Sequence, residues 1–241
     1  YILCFRSKEL SLRIDTGRFL PTWGVVKRAL HISLPMGLQQ TIMCSAYVMT
    51  TIIIAPLGTF AIAANSFGII IESLCYMPGY GIADAATTLV GQSMGAGRHE
   101  LMKRFAWLSV GLGVTVMAVM GVVMYVGAPT AMAMMTPAEE VRRLGVEVLR
   151  IEAFAEPMFA AAIVSYGVFV GAAKTLVPSI MNLVSIWGVR ISLAAMLAPS
   201  MGLRGVWIAM CIELCFRGLI FLVKLKFWNI QTSCKHYGKD Q

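Results

Sequence analysis

Charged residues are absent from residue 32 to residue 57, and long uncharged stretches recur along the rest of the chain. A membrane-crossing helix needs about 20 mostly apolar residues. On that measure the pattern predicts six spans, at 31–56, 60–88, 105–128, 144–170, 177–198 and 205–223. Short turns separate most of them: PLGTF after the first span, GAAKT after the fourth and PSMGLR after the fifth. The stretch GQSMGAGRHELMKR reads as a polar, basic loop between the second and third spans. The methionine-rich run before Thr136 reads as a short interfacial segment. Residues 1–30 are mixed and basic and read as a linker, with 1–5 as the end of an earlier helix. Residues 31–228 form the six-helix unit, and 229–241 a polar tail. The fold class is an all-α membrane protein.

Composition narrows the function. Of 241 residues, 58% are hydrophobic and 13% charged, with mean hydropathy +0.76. A soluble domain carries about 25% charged residues. This chain has too little polar surface for a soluble enzyme, a disordered chain or a nucleic-acid module. The net charge of +8 matters through its placement. Fourteen Lys and Arg fall on one side of the six spans and three on the other, with Arg150, Arg190 and Arg217 inside spans. Basic loops face the cytoplasm, so both termini are expected there. The six cysteines show no CxxC spacing and read as packing residues or free thiols. The chain opens on Tyr1 with no signal peptide, which reads as an internal start.

No HExxH, GxSxG or P-loop motif occurs, so no enzyme chemistry and no cofactor or metal is expected. What remains is charge inside the membrane, which is costly and therefore paired or functional. Glu156 lies about 16–18 Å from the outer end of its span, near the midplane. Pro157 follows it, removes a backbone N–H and clashes with the Ala153 carbonyl, which predicts a kink. Glu152 lies one turn above on the same helix face. Glu72 lies about 18 Å into the second span, followed by a second kink residue, Pro78. Gln39 and Gln40 follow Pro35, the third predicted kink, and as buried amides they need partners. These five polar side chains are the candidate cation and substrate ligands. Arg190 and Glu213 each lie about 12 Å from the turn near Met201, so they are expected to pair, with Arg217 one turn beyond Glu213. Gly91 and Gly95 form a GxxxG that reads as close packing.

Four segments together resemble the MATE (multidrug and toxic compound extrusion) family: APLGTFAIAANSF, GYGIADAATTLVGQSMGAGR, EPMFAAAIVSYGVFVGAAKTLVPSIMN and WGVRISLAAMLAPSMGLRGVWIAM. The resemblance covers about residues 1–228. It implies one six-helix lobe of a twelve-helix transporter that exchanges amphipathic or cationic organic compounds for Na⁺ or H⁺ by alternating access. It further implies a bacterial inner-membrane location, lipid and small organic molecules as partners, and an N-terminal lobe outside this chain. Two positions depart from the family. An acidic seventh-helix residue is replaced near Met43, and the RGxGDT-like turn reads VGAAKT at 170–175. Coupling through those two carboxylates is therefore not expected, leaving either Glu156, Glu152 or Glu72 as a substitute or coupling in the N-terminal lobe. Three alternatives stand beside this reading. They are a related flippase moving a lipid-linked or polyanionic substrate, a structural subunit in which Glu72 and Glu156 are fully paired, and an intramembrane enzyme.

Overall fold

The structure, a computed structural model, describes residues 23–228. The candidate linker at 1–22, the helix end at 1–5 and the tail at 229–241 lie outside the described residues. The chain forms two compact units divided between Leu34 and Pro35. In the first, the described residues are helical, so 23–30, read as linker, belong to a helix.

Helix α1 is Trp23–Ile54 and is followed by a 3₁₀ turn, Ala55–Leu57. Then come α2 (Thr59–Gly95), α3 (His99–Met135), α4 (Glu139–Glu152) and α5 (Glu156–Gly171). After these, α6 (Leu176–Val184), a π-helical segment (Ser185–Ile191) and α7 (Ser192–Met201) run in series, and α8 (Leu203–Lys226) closes the described chain. Among the described residues there is no strand. Five stretches are long and apolar enough to cross a membrane: Gly37–Leu57, Thr59–Gly95, His99–Met135, Leu176–Met201 and Leu203–Lys226. The α4–α5 pair, bent by 59°, makes a sixth.

Two connections are tighter than the polarity pattern suggests. The stretch read as a loop after the second span is mostly helix. α2 runs to Gly95 and α3 starts at His99, with Gly97 at φ +68° making the turn. A positive φ is open to glycine without steric penalty, so three residues reverse the chain. The methionine run is likewise part of α3, which continues to Met135 with Met132 fully buried. Long polar side chains sit comfortably on helix ends at a membrane boundary, so polarity alone did not mark the helix limits.

The three predicted kinks behave differently. α1 contains Pro35 and α2 contains Pro78 as single helices. At Pro157 the span divides, because the proline occupies the first turn of α5, where its missing N–H is no loss. The Gly-, Ala- and Val-rich α5 is apolar on all sides and buried for most of its length. It packs against α2, α3 and α8. An added Cβ at Gly167 would lie 2.6 Å from the Ala83 carbonyl oxygen, and one at Gly171 would lie 2.4 Å from that of Thr87. Thr87 donates its hydroxyl across the same contact to the Gly167 carbonyl (2.9 Å). Small residues at this spacing let helix backbones touch where lipid removes the hydrophobic drive for association. Of the GxxxG read from the sequence, Gly91 faces the Gly171 carbonyl and Gly95 faces open space.

Candidate functional site

Inside the bundle, α1, α2, the π segment and α8 enclose a cavity of about 70 Å³. Its polar lining is Tyr47, Thr50, Glu72, Tyr76, Tyr80 and the two arginines Arg190 and Arg217. A water molecule needs about 10–15 Å³ of such space, so the cavity suits a small ion with a few waters. Drug-sized ligands take about 300–1,000 Å³.

Glu72, Tyr76 and Tyr80 follow one another at intervals of four, which places them on one face of α2. The Tyr76 and Tyr80 rings meet edge to face at 5.5 Å, and Tyr76 meets Phe159 of α5 at 5.7 Å. The tyrosines escaped the sequence reading, although their spacing from Glu72 was the available signal. Glu72 is buried and shares the cavity with both arginines.

The expected Arg190–Glu213 pair does not form. Glu213, fully buried, is held by Arg217, whose Nε lies 3.1 Å from Oε1, and by Ser185, whose hydroxyl donates to Oε1 at 2.6 Å. Arg217 sits one helical turn away on α8 and reaches Glu213 without bringing distant chain together. Arg190, at the end of the π segment, instead lies over the Tyr47 ring (5.8 Å) and places Nη2 2.7 Å from Met210 Sδ. A π segment rotates the residues after it relative to a regular helix, and depth arithmetic on a regular helix does not capture that rotation. The cavity therefore holds a cationic side chain whose partners are an aromatic face and a thioether. The lobe's own cavity is thus mixed in charge, with Glu72 beside Arg190 and Arg217.

Glu152 and Glu156 flank the break in the fourth span. Each is 1% exposed. Glu152 Oε2 and both oxygens of Glu156 are buried without a hydrogen-bond partner among the described residues. Arg150, a conceivable partner, lies over the Tyr125 ring at 5.1 Å. Opposite the break, α3 presents Gly121, where an added Cβ would stand 2.7 Å from the Ala153 oxygen and 3.3 Å from Glu156 Cβ. The break, the bare backbone of Gly121 and the two carboxyls thus form one feature. Glu156 and Glu72 are near enough for their charges to repel, and Glu152 is within reach of both. Glu72 shares its cavity with Arg190 and Arg217, and among the described residues neither Glu152 nor Glu156 is in a salt bridge. Among the described residues, no three His, Cys, Asp or Glu side chains converge as metal ligands.

The amides separate. Gln39 is buried and its Oε1 accepts a hydrogen bond from the Tyr166 hydroxyl (3.1 Å), tying α1 to α5. Gln40, expected beside it as a ligand, is exposed, because adjacent helical residues point about 100° apart. Neither lines the cavity. The described cysteines, Cys44, Cys75, Cys211 and Cys215, are free thiols.

Five apolar helices of membrane length, six crossings with the bent pair counted as one, around an interior with buried charged side chains define a polytopic membrane protein. The MatE family model matches residues 35–196. The chain belongs to the MATE family. A probable multidrug resistance protein NorM from Xylella fastidiosa (strain Temecula1) is 28% identical over 203 residues, covering 83% of this chain and 43% of the relative. Among solved structures, a MATE transporter in the straight conformation superposes with TM-score 0.86 at 18% identity, covering 97% of this chain and 53% of that one. The MATE transporter ClbM, solved in complex with Rb⁺, gives 0.79 at 22%, covering 88% and 49%. These likenesses establish the fold. The chain spans about half the length of the curated relatives it matches.

Proposed function

We propose that this six-span unit is one lobe of a multidrug efflux antiporter, working opposite a second six-span lobe in the bacterial inner membrane with both termini cytoplasmic. It is a carrier and not an enzyme. Organic cations pass between the lobes, and a proton or Na⁺ returns through this lobe at Glu156, assisted by Glu152. The carrying observation is Glu156 itself, a midspan carboxyl, 1% exposed, with neither oxygen hydrogen-bonded among the described residues. A buried carboxylate without a partner is costly, and an arriving cation supplies what the fold withholds. A structural subunit would have this residue fully paired. Glu72 stands beside two arginines and tunes the cavity. Glu152 and Glu156 do not line the 70 Å³ cavity, which has room for a small ion beside Glu72 and is too small for a drug, leaving the drug to the surface between lobes.

The test is dye efflux from cells expressing this chain joined to a MATE N-terminal lobe, with and without Glu156→Gln. Efflux that falls at least about tenfold on Glu156→Gln, the loss expected when a transported charge has lost its carboxylate, supports the reading. Efflux that survives unchanged moves coupling out of this lobe. A second reading, a carrier of an anionic or lipid-linked substrate, is favoured by one observation: Arg190 faces the cavity and, among the described residues, is in no salt bridge. Under that reading Arg190→Gln abolishes transport and Glu156→Gln spares it.

A further inference from the structure

At the end of the bundle where α5 ends, α3 begins and α8 closes, two pockets open on either side of Trp228. The larger, of about 240 Å³, is lined by Lys174 and Lys224 together with Phe169, Val177, Met181 and Phe227. The second, of about 140 Å³, holds Lys103 and Lys226 beside Trp107. All four lysines are exposed, and none is in a salt bridge among the described residues. By contrast, Arg142, Arg143 and Arg204 near the α3–α4 turn and the start of α8 all have glutamate partners. Each pocket thus combines unneutralised ammonium groups with apolar and aromatic wall. That pairing matches a molecule with a phosphate at one end and hydrocarbon at the other. Lysines reach the headgroup level while their stems lie along apolar surface, and tryptophans concentrate at the same level.

We propose that the Lys174–Lys224 pocket binds the phosphate headgroup of an anionic phospholipid from the surrounding leaflet, with an acyl chain along Val177 and Met181. The Lys103–Lys226 pocket takes a second such headgroup across Trp228. The site is separate from the Glu156 region and does not depend on its function. Because Lys174 sits in the turn between α5 and α6 and Lys224 in the last turn of α8, a bound lipid would bridge the end of the central helix to the closing helix.

The full chain, purified in detergent, is equilibrated with an equimolar mixture of phosphatidylglycerol and phosphatidylcholine, and bound lipid is counted by native mass spectrometry. Phosphatidylglycerol should be retained in preference. A basic residue near an anionic surface contributes about fivefold in binding, so Lys174→Gln with Lys224→Gln should weaken retention by about 25-fold. Arg143→Gln, at an exposed site among the glutamate-paired arginines, should leave retention unchanged. Since both lysines are exposed, the melting temperature of the double variant should match that of the parent. Equal retention of the two lipids, or retention indifferent to the double variant, overturns the proposal. Displacement of phosphatidylglycerol by inorganic phosphate alone also overturns it, because the site would then recognise a free anion and not a lipid.

Discussion

At the residue scale, the charges inside this bundle divide by what they touch. Glu213 and Arg217 neutralise each other on one helix, and Ser185 occupies a further lone pair of the carboxylate. Removing one partner leaves the other charge buried and alone, which typically costs about 3–5 kcal/mol. Arg217→Met and Glu213→Leu should therefore each destabilise by that amount. The double substitution should recover most of the loss, because a well-packed apolar replacement of a buried pair is often neutral. Thermal unfolding of the three variants in detergent measures the coupling as the departure from additivity. Losses that simply add would show that the two side chains do not act as a pair. Glu156 differs because it has no hydrogen-bond partner to lose among the described residues. The contrast between the two glutamates was legible in the sequence, where Glu213 was expected in an ion-pair cluster with Arg190 and Arg217 and Glu156 among the ligands. What was not legible was which arginine holds Glu213, because the π segment turns Arg190 toward Tyr47 and Met210.

At the element scale, α5 is the axis of the bundle, and its closeness to α2 rests on missing side chains. Gly171 meets the Thr87 backbone, which cannot move aside as a flexible side chain could, whereas Gly95 faces open space. The same substitution should therefore have opposite signs at the two positions. Gly95→Ala gains helix propensity and should stabilise by up to about 1 kcal/mol. Gly171→Ala forces α5 and α2 apart and should destabilise by about 1–3 kcal/mol. Melting temperatures of the two variants check this, and a neutral Gly171→Ala would mean that the helices are not in backbone contact there. Span number, span order and the kink at Pro157 were legible in the sequence because they follow from apolar run length and from the chemistry of proline. The Gly167–Gly171 pair was also legible in principle, at the spacing of the GxxxG motif. The reading instead fell on Gly91 and Gly95, because a motif on a helix does not say which neighbour it faces. Helix limits were the least legible: the mixed, basic stretch at 23–30 and the polar stretch at 91–104 were read as linker and loop, yet most of these residues are helical.

At the scale of the whole molecule, orientation in the membrane follows from charge and span count together. With the α4–α5 pair taken as one crossing, the chain from Gly37 to Trp228 crosses six times, so Gly37 and Trp228 lie on the same side. Lys103, Lys174, Lys224 and Lys226 gather at that end, and the Thr136–Ala138 turn, which links α3 to α4, lies at the other. Short loops rich in Lys and Arg are retained in the cytoplasm, so under the proposed orientation the lysine pockets lie against the cytoplasmic leaflet, whose surface potential is negative. A green fluorescent protein fused after Gln241 should therefore fluoresce, and alkaline phosphatase fused at the same point should be inactive. Inserted between Thr136 and Pro137, the two reporters should exchange behaviour. The reverse pattern at both sites would invert the orientation, setting the four lysines outside and removing the leaflet that the lipid pockets are proposed to read. The same reporter active at both sites would mean an even number of crossings between the Thr136 turn and Gln241, and the bent pair would then be a re-entrant loop. The experiment thus tests the 59° bend as well as the charge rule, because the Thr136 turn and Gln241 fall on opposite sides only if the bent pair crosses the membrane.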